Sequence, residues 1–238
     1  MNAPGKVYLI PTVLSADALY SIPAYVTPIV KQLRVFYVEN ERTARRYLKA
    51  LDRSIVIDDL RLLLMHENHP PDLALAKKLL LEGTDIGVIS EAGCPAIADP
   101  GHLIVQVAHS IDAPVIPMIG PNSILLALMA SGMNGQNFQF VGYLPIKSPE
   151  RGKMIRELEE ISGKKNQTQL FIETPYRNNP MMRDILDNCK DDTQVCIAAD
   201  ITAPTEYIKT KTVKEWKTAI PEIHKKPAIF LLYAAEII

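Results

Sequence analysis

The sequence predicts an α/β fold made of two α/β domains, on three observations. Short apolar, β-branched runs alternate with longer amphipathic stretches, the pattern of a largely parallel sheet covered by helices. The chain has 238 residues, 47% of them hydrophobic, enough to fill the core of one large domain or two compact ones. The text also changes after Gly142: it becomes more charged, and residues 193–211 read as two strands joined by a turn at Ala203-Pro204, which predicts some antiparallel pairing. The expected domains are therefore 1–119 and 120–238, with the boundary between 117 and 142.

Strands are expected at 7–10, 35–39, 86–90, 115–119, 169–173, 195–199 and 228–234, with helical segments between most of them. The segment 72–82 is the clearest helix, with Asp72 to cap its start, Gly83 to end it, and Leu73, Ala76, Leu79 and Leu80 on one face. Ile124, Leu125, Leu128 and Met129 form a second apolar face, expected to be core. The N-terminus lacks a charged region followed by a long apolar one, so it reads as a strand and not as a secretory signal. No apolar run approaches the ~18 residues of a spanning helix, and no membrane association is expected. Three cysteines without C-x-x-C spacing argue against a disulfide framework or a zinc site and fit a reducing cytoplasm. The net charge of −1 exerts no global pull on nucleic acid, so any RNA binding needs a local basic patch.

The most informative segment is 90–101, Ser-Glu-Ala-Gly-Cys-Pro-Ala-Ile-Ala-Asp-Pro-Gly, directly after an apolar strand. Small residues and prolines at the carboxyl end of a buried strand make a tight, rigid loop where open α/β sheets bind ligands. A purely structural turn would use the same residues.

This segment resembles the S-D-A-G-T-P-x-I-S-D-P-G loop of the ribosomal RNA small-subunit 2′-O-methyltransferases, members of the tetrapyrrole methylase superfamily. Further matches follow in order. Pro11-Thr12 resembles the opening P-T-P-I-G-N-L, Val38 to Arg42 resembles A-E-D-T-R, and His66-Glu67-Asn68-His69 resembles H-E-H-N. Gly120 to Ser123 resembles G-P-S-A, Gly142 to Pro145 resembles G-F-L-P, and Phe171 to Arg177 resembles F-Y-E-S-P-H-R. The chain departs from the pattern at several places. It reads Val13-Leu14-Ser15-Ala16-Asp17 where the family has G-N-L, Asn40 for aspartate, Cys94 for threonine, Ala98 for serine and Ile119 for proline. Ala198 to Thr202 resembles A-R-E-L-T without its arginine.

The resemblance implies two α/β domains of the tetrapyrrole methylase type with an S-adenosylmethionine cleft between them, in a homodimer. Carried over by position, Pro11 would flank the entrance, and Glu91, Ala92, Gly93, Cys94, Ile97 and Ala98 would form the cofactor loop, with any side chain at Gly93 filling cofactor space. Asn122 and Ser123 would meet the methionine or ribose part. Phe171, Ile172 and Glu173 would line the adenine side, and Ile201, Pro227 and Ala228 would close the pocket.

Glu39 ends an apolar strand, where it suits a general base for a ribose hydroxyl; alternatively it caps the helix starting near Glu41. Arg42, Arg45, Arg46 and Lys49 recur at i, i+3, i+4, i+7, placing four cations on one helical face that either tracks phosphates or is simply solvated. A second basic stretch, Lys209 to Lys226, is interrupted by Glu215 and Glu222 and reads as a solvated surface. His66, Glu67 and His69 lack metal-ligand spacing and read as a polar cluster facing substrate, as does Arg177; no metal is expected. Cys94 has no evident partner base and reads as a small cofactor-contacting residue, not a nucleophile.

The expected activity is therefore S-adenosylmethionine-dependent methylation, with structured RNA of the small ribosomal subunit as the acceptor and transfer to a ribose 2′-oxygen. Two alternatives stand beside it: a methyltransferase of the same fold acting on a small molecule such as a tetrapyrrole precursor, and a non-catalytic RNA- or ligand-binding relative.

Overall fold

The computed structural model describes residues 3–66 and 68–234. The chain divides into two compact units, Met1–Asn122 and Ser123–Ile238.

The first unit holds five strands: β1 (Val7–Ile10), β2 (Val35–Val38), β3 (Arg61–Leu64), β4 (Ile86–Ile89) and β5 (Val115–Pro117). All pair in parallel, in the order β3-β2-β4-β1-β5. Every residue of β2 and β4 is buried, as central parallel strands covered on both faces require. Side chains alternate between two cores. Val7, Val35, Tyr37, Ile86 and Val88 point to one face and pack with α3 (Leu73–Leu81) and α4 (His102–His109). Ile10, Phe36, Val38 and Ile89 point to the other and pack with α1 (Val26–Val30) and α2 (Glu41–Leu51). Asp72 caps α3 through Leu75 N–H (2.9 Å), but Leu73 on its predicted apolar face is exposed. Strand β3 was not among the expected strands: Arg-Leu-Leu-Leu lacks the β-branched residues that mark its neighbours.

The second unit holds β6 (Phe138–Tyr143), β7 (Thr168–Ile172), β8 (Gln194–Ala199), β9 (Tyr207–Thr212) and β10 (Ala228–Tyr233), in the order β6-β7-β10-β8-β9. Only β6 and β7 are parallel; the other three pairings are antiparallel. Helices α6 (Ser148–Lys165), α7 (Asn178–Asn188) and α8 (Val213–Trp216) contribute to one core. There the rings of Phe171 and Phe230 stack 5.9 Å apart, and the Trp216 indole N–H donates to Val195 O (2.9 Å). Helix α5 (Ser123–Ser131) packs against β8, β9 and β10 through a face that differs from the expected one. Ala127, Leu128 and Ser131 are buried, whereas Leu125 and Met129 are exposed, Met129 to 78%. Among the described residues no helix is long and apolar enough to cross a membrane.

Candidate functional site

In the first unit the chain leaves β1 and β2 toward the α1–α2 face but leaves β4 toward the α4 face. Because β4 lies between β2 and β1, these loops part directly above it and open a crevice at the carboxyl ends of the strands. Pro11, Glu39, His66, residues 90–101 and residues 119–122 all emerge at that edge.

The loop 90–101 is fastened across the crevice. Thr12 N–H donates to Gly93 O (2.8 Å), forming a one-pair antiparallel bridge between the segments after β1 and β4. Asp99 Oδ1 accepts from Ala96 N–H (3.0 Å) and Gly101 N–H (2.7 Å). Ala96 and Ala98 are held at φ +68° and +62°, a left-handed backbone that costs an alanine energy and persists only where its surroundings fix it. Glu91, Ala92, Ile97 and Ala98 face outward, and two of the four carry only a methyl group. Gly93 behaves otherwise than expected. It is buried at φ +79°, and a Cβ there would lie 3.3 Å from Leu14 Cδ2 and from Pro121 O. A side chain would meet the unit's own packing, so the glycine is needed by the loop itself.

Pro11 is similarly enclosed. Tyr47 O–H donates to its carbonyl (2.6 Å), and Gly120 packs so closely that a Cβ would fall 2.1 Å from Pro11 Cβ. Cys94 sits 3.5 Å from Pro121 O, with its thiol pushed up by burial against an opposing hydrogen bond to Asn122. A raised thiol leaves little thiolate at neutral pH.

Between the ends of β2, β3 and β4 lies an open groove of about 490 Å³ lined by Glu39, Asn40, Glu41, Arg42, Leu64, His66 and Glu91. Asn40, not Glu39, caps α2: its Oδ1 accepts from Arg42 N–H (3.0 Å) and Thr43 N–H (3.2 Å). Glu39 is thereby free of the capping role, and its Oε2 accepts from Glu91 N–H (2.6 Å). Burial pushes the Glu39 carboxyl up; the Glu91 N–H opposes this, and the charges of Asp99 and Glu91 add to it. Asp99 is likewise raised by burial, against its backbone hydrogen bonds. A half-buried carboxylate with like charges nearby is a better proton acceptor than a solvated one.

All four cations of α2 are exposed on one face, but they are not equivalent. Arg45 pairs with Glu41 (3.2 Å) and Lys49 Nζ donates to Arg53 O (3.1 Å), while Arg42 and Arg46 form no ion pair among the described residues. Only Arg42 lines the groove. Glu67 lies outside the described residues; His66 and His69 exchange backbone hydrogen bonds (3.0 and 2.8 Å). No group of three potential metal ligands occurs among the described residues.

In the second unit, Ile172, Glu173, Ile201, Pro227 and Ala228 gather at the edge formed by the carboxyl ends of β7 and β8 and the amino end of β10. Phe171 does not join them: its side chain is fully buried in the core against Phe230, since it points to the opposite face from Ile172. Glu173 and Arg177 were assigned separate partners but hold each other. Glu173 Oε1 accepts from Arg177 Nη2 (2.6 Å) and Nε (2.9 Å) and from Thr174 N–H (2.6 Å). Arg151, buried and bound to Asp184 (2.6 Å), stands 4.0 Å from Glu173 Oε2. Sequence reasoning missed Asp99 and Tyr47 in the first unit and Arg151 and Asp184 in the second. Asp99, three residues after Ala96 and before Pro-Gly, carried a readable turn signal; Arg151 and Asp184 carried none.

No family model matches the chain. It is 34% identical over 143 residues to ribosomal RNA small subunit methyltransferase I of Vibrio cholerae, covering 60% of this chain and 48% of that protein. It is 26% identical over 235 residues to the protein of the same name from Buchnera aphidicola, covering 98% of this chain and 79% of the relative. The match thus spans about half the length of the first relative. Among solved structures, the methyltransferase CobJ superposes with a TM-score of 0.61 at 15% identity, covering 96% of this chain and 94% of that one. Uroporphyrin-III C-methyltransferase from Thermus thermophilus, complexed with S-adenyl homocysteine, gives 0.55 at 16% identity, covering 96% and 97%. The chain has the fold of the tetrapyrrole methyltransferases, and in sequence it resembles the small-subunit ribosomal RNA methyltransferases I.

Proposed function

We propose that this chain is an S-adenosylmethionine-dependent methyltransferase acting on a ribose 2′-hydroxyl of small-subunit ribosomal RNA, as a cytoplasmic homodimer. The observation that carries the reaction is Glu39, a carboxylate raised by burial at the carboxyl edge of a parallel sheet, lining an open groove beside the loop 90–101. The names of the sequence relatives support RNA as the acceptor, and the S-adenyl homocysteine bound to a protein of the same fold supports the cofactor.

The outer surface of the loop suits the cofactor: Ala92 and Ala98 offer backbone and methyl groups with little to obstruct a close approach, and Asp99 holds the turn around Ala98 through Ala96 N–H and Gly101 N–H. Bound there, S-adenosylmethionine supplies an electrophilic methyl group on a sulfonium, a good leaving group. Little further is asked of the protein. The loop holds its shape, the groove aligns the acceptor oxygen, and Glu39 takes the hydroxyl proton as that oxygen bonds to carbon. No covalent protein intermediate is required, in keeping with a protonated Cys94.

Purified protein incubated with tritiated S-adenosylmethionine and either small-subunit ribosomal RNA or uroporphyrinogen tests the reading. Label in RNA, within a linkage that resists alkaline cleavage, supports it. Label in the tetrapyrrole places the chain with small-molecule enzymes, and binding of S-adenosylhomocysteine without transfer makes it a non-catalytic relative.

A further inference from the structure

We propose that His66 orients the acceptor, donating from Nε2–H to an oxygen of the RNA ribose-phosphate next to the methylated hydroxyl. This rests on the reading of the groove as an RNA acceptor site and adds a residue role to it.

Strands β2 and β3 run in parallel with Val38 opposite Leu64, and Met65 N–H donates to Val38 O (2.9 Å). Glu39 and His66 therefore emerge just beyond neighbouring strand ends, and both line the groove. The backbone of His66 is pinned by its two hydrogen bonds to His69. Its ring is pinned as well: Asn68 N–H donates to Nδ1 (3.2 Å). A ring nitrogen that accepts cannot carry the proton, so the neutral imidazole is the Nε2–H tautomer. Nε2 has no hydrogen-bond partner among the described residues.

The groove thus carries an acceptor in Glu39, a ring N–H donor in His66 and a cation in Arg42. A nucleotide offers the complement of this set. Its 2′-hydroxyl donates to a carboxylate, a neighbouring sugar or phosphate oxygen accepts from the ring N–H, and the phosphate attracts the guanidinium. A donor with a fixed tautomer sets the rotation of the ribose, and with it the line of the 2′-oxygen toward the methyl carbon.

Two variants separate the donor from the turn that carries it. In His66→Gln the side-chain amide nitrogen reaches the level of Nε2 and can still donate; in His66→Asn it reaches only the level of Nδ1. Retention of small-subunit ribosomal RNA on filters, calorimetric binding of S-adenosylhomocysteine, and RNA KM and kcat are measured for both and for the parent. The expected result for His66→Asn is a loss of about tenfold in RNA affinity, a matching rise in RNA KM and, because the acceptor is no longer held in line, a fall in kcat. His66→Gln should stay within about twofold of the parent, with S-adenosylhomocysteine affinity unchanged in both variants. Parental RNA affinity in His66→Asn overturns the inference, as does an equal loss in both variants, which would report the turn and not the donor. If the parent protein methylates RNA while both variants match it, the inference alone fails. If the parent neither retains nor methylates RNA, the reading of the groove fails and this inference goes with it.

Discussion

Glu39 and Glu173 each stand one residue past the carboxyl end of an apolar strand, one in each unit, and their surroundings give them opposite characters. Glu173 is buried, and two guanidiniums attend it: Arg177 grips one oxygen and Arg151 faces the other. Glu39 has one backbone N–H, two neighbouring carboxylates and an open groove. A carboxylate whose charge is matched by fixed cations belongs to the scaffold. One left with burial and like charge retains the capacity to take a proton. Position at the end of a strand does not distinguish them; the local supply of cations does.

Exchanging each acid for its amide should therefore produce opposite signatures. Glu39→Gln is expected to lower kcat by about 10²- to 10⁴-fold, the usual contribution of a general base. It should leave Tm at or above the parental value. A carboxyl raised in the folded state contributes stability below its ordinary pKa and loses it as pH rises through the folded value, so at neutral pH the ionised group is a burden that glutamine removes. The same direction moves the acid limb of the kcat profile above the ordinary carboxylate range. A drop in Tm with activity intact would reverse the assignment of the two acids.

Glu173→Gln should instead destabilise the protein by about 3–5 kcal/mol, because the arginines lose their buried counter-charge. Calorimetry of this variant and of Arg151→Met separates the two contributions. An unchanged Tm in Glu173→Gln would mean that solvent reaches the pair and that the contrast with Glu39 is overstated.

Two glycines sharpen the account of the loop. Gly93 and Gly142 both sit at φ +79°, but a Cβ at Gly142 meets nothing within 4 Å while one at Gly93 meets Leu14 and Pro121. Gly142→Ala should cost about 1–2 kcal/mol from backbone strain alone. Gly93→Ala should cost more and also weaken S-adenosylhomocysteine binding. Equal losses would leave the packing around Gly93 without consequence.

The smallest effects concern α2. Arg46→Ala should lower the salt slope of RNA binding by about one, as for a lost phosphate contact. Arg45→Ala should lower it less, since Glu41 already offsets that charge. Identical slopes in a salt series would reduce the whole face to a solvated surface.

Most of the strands with β-branched or aromatic runs were legible from the sequence, as were the α3 cap and the turn between β8 and β9. Strand β3 was hidden by its leucines, and β6 by Gly142, where the pairing with β7 shifts register at a bulge. In the first unit the candidate site was legible because parallel strands deliver their following residues to one edge, so order along the chain becomes proximity. The second unit offered less. Arg151 meets Glu173 and Asp184 only through the packing of α6 and α7 on the sheet, and nothing in the spacing of these residues announces it. The side of the strand on which Phe171 falls decided its fate, and alternation within the run 168–172 was masked by apolar residues on both faces.

The single bridge between Thr12 and Gly93 gives this molecule a built-in reporter. The Thr12 amide is buried and spends its proton on the loop that follows a different strand, so it can exchange with solvent only when the two segments separate. Its deuterium uptake counts those separations directly. A ligand resting on the loop should slow that one amide together with Ala96 and Gly101, whose protons are held by Asp99, while amides in the middle of β2 and β4 keep their rates. Occupancy could then be read, residue by residue, without a labelled cofactor and before any RNA is added.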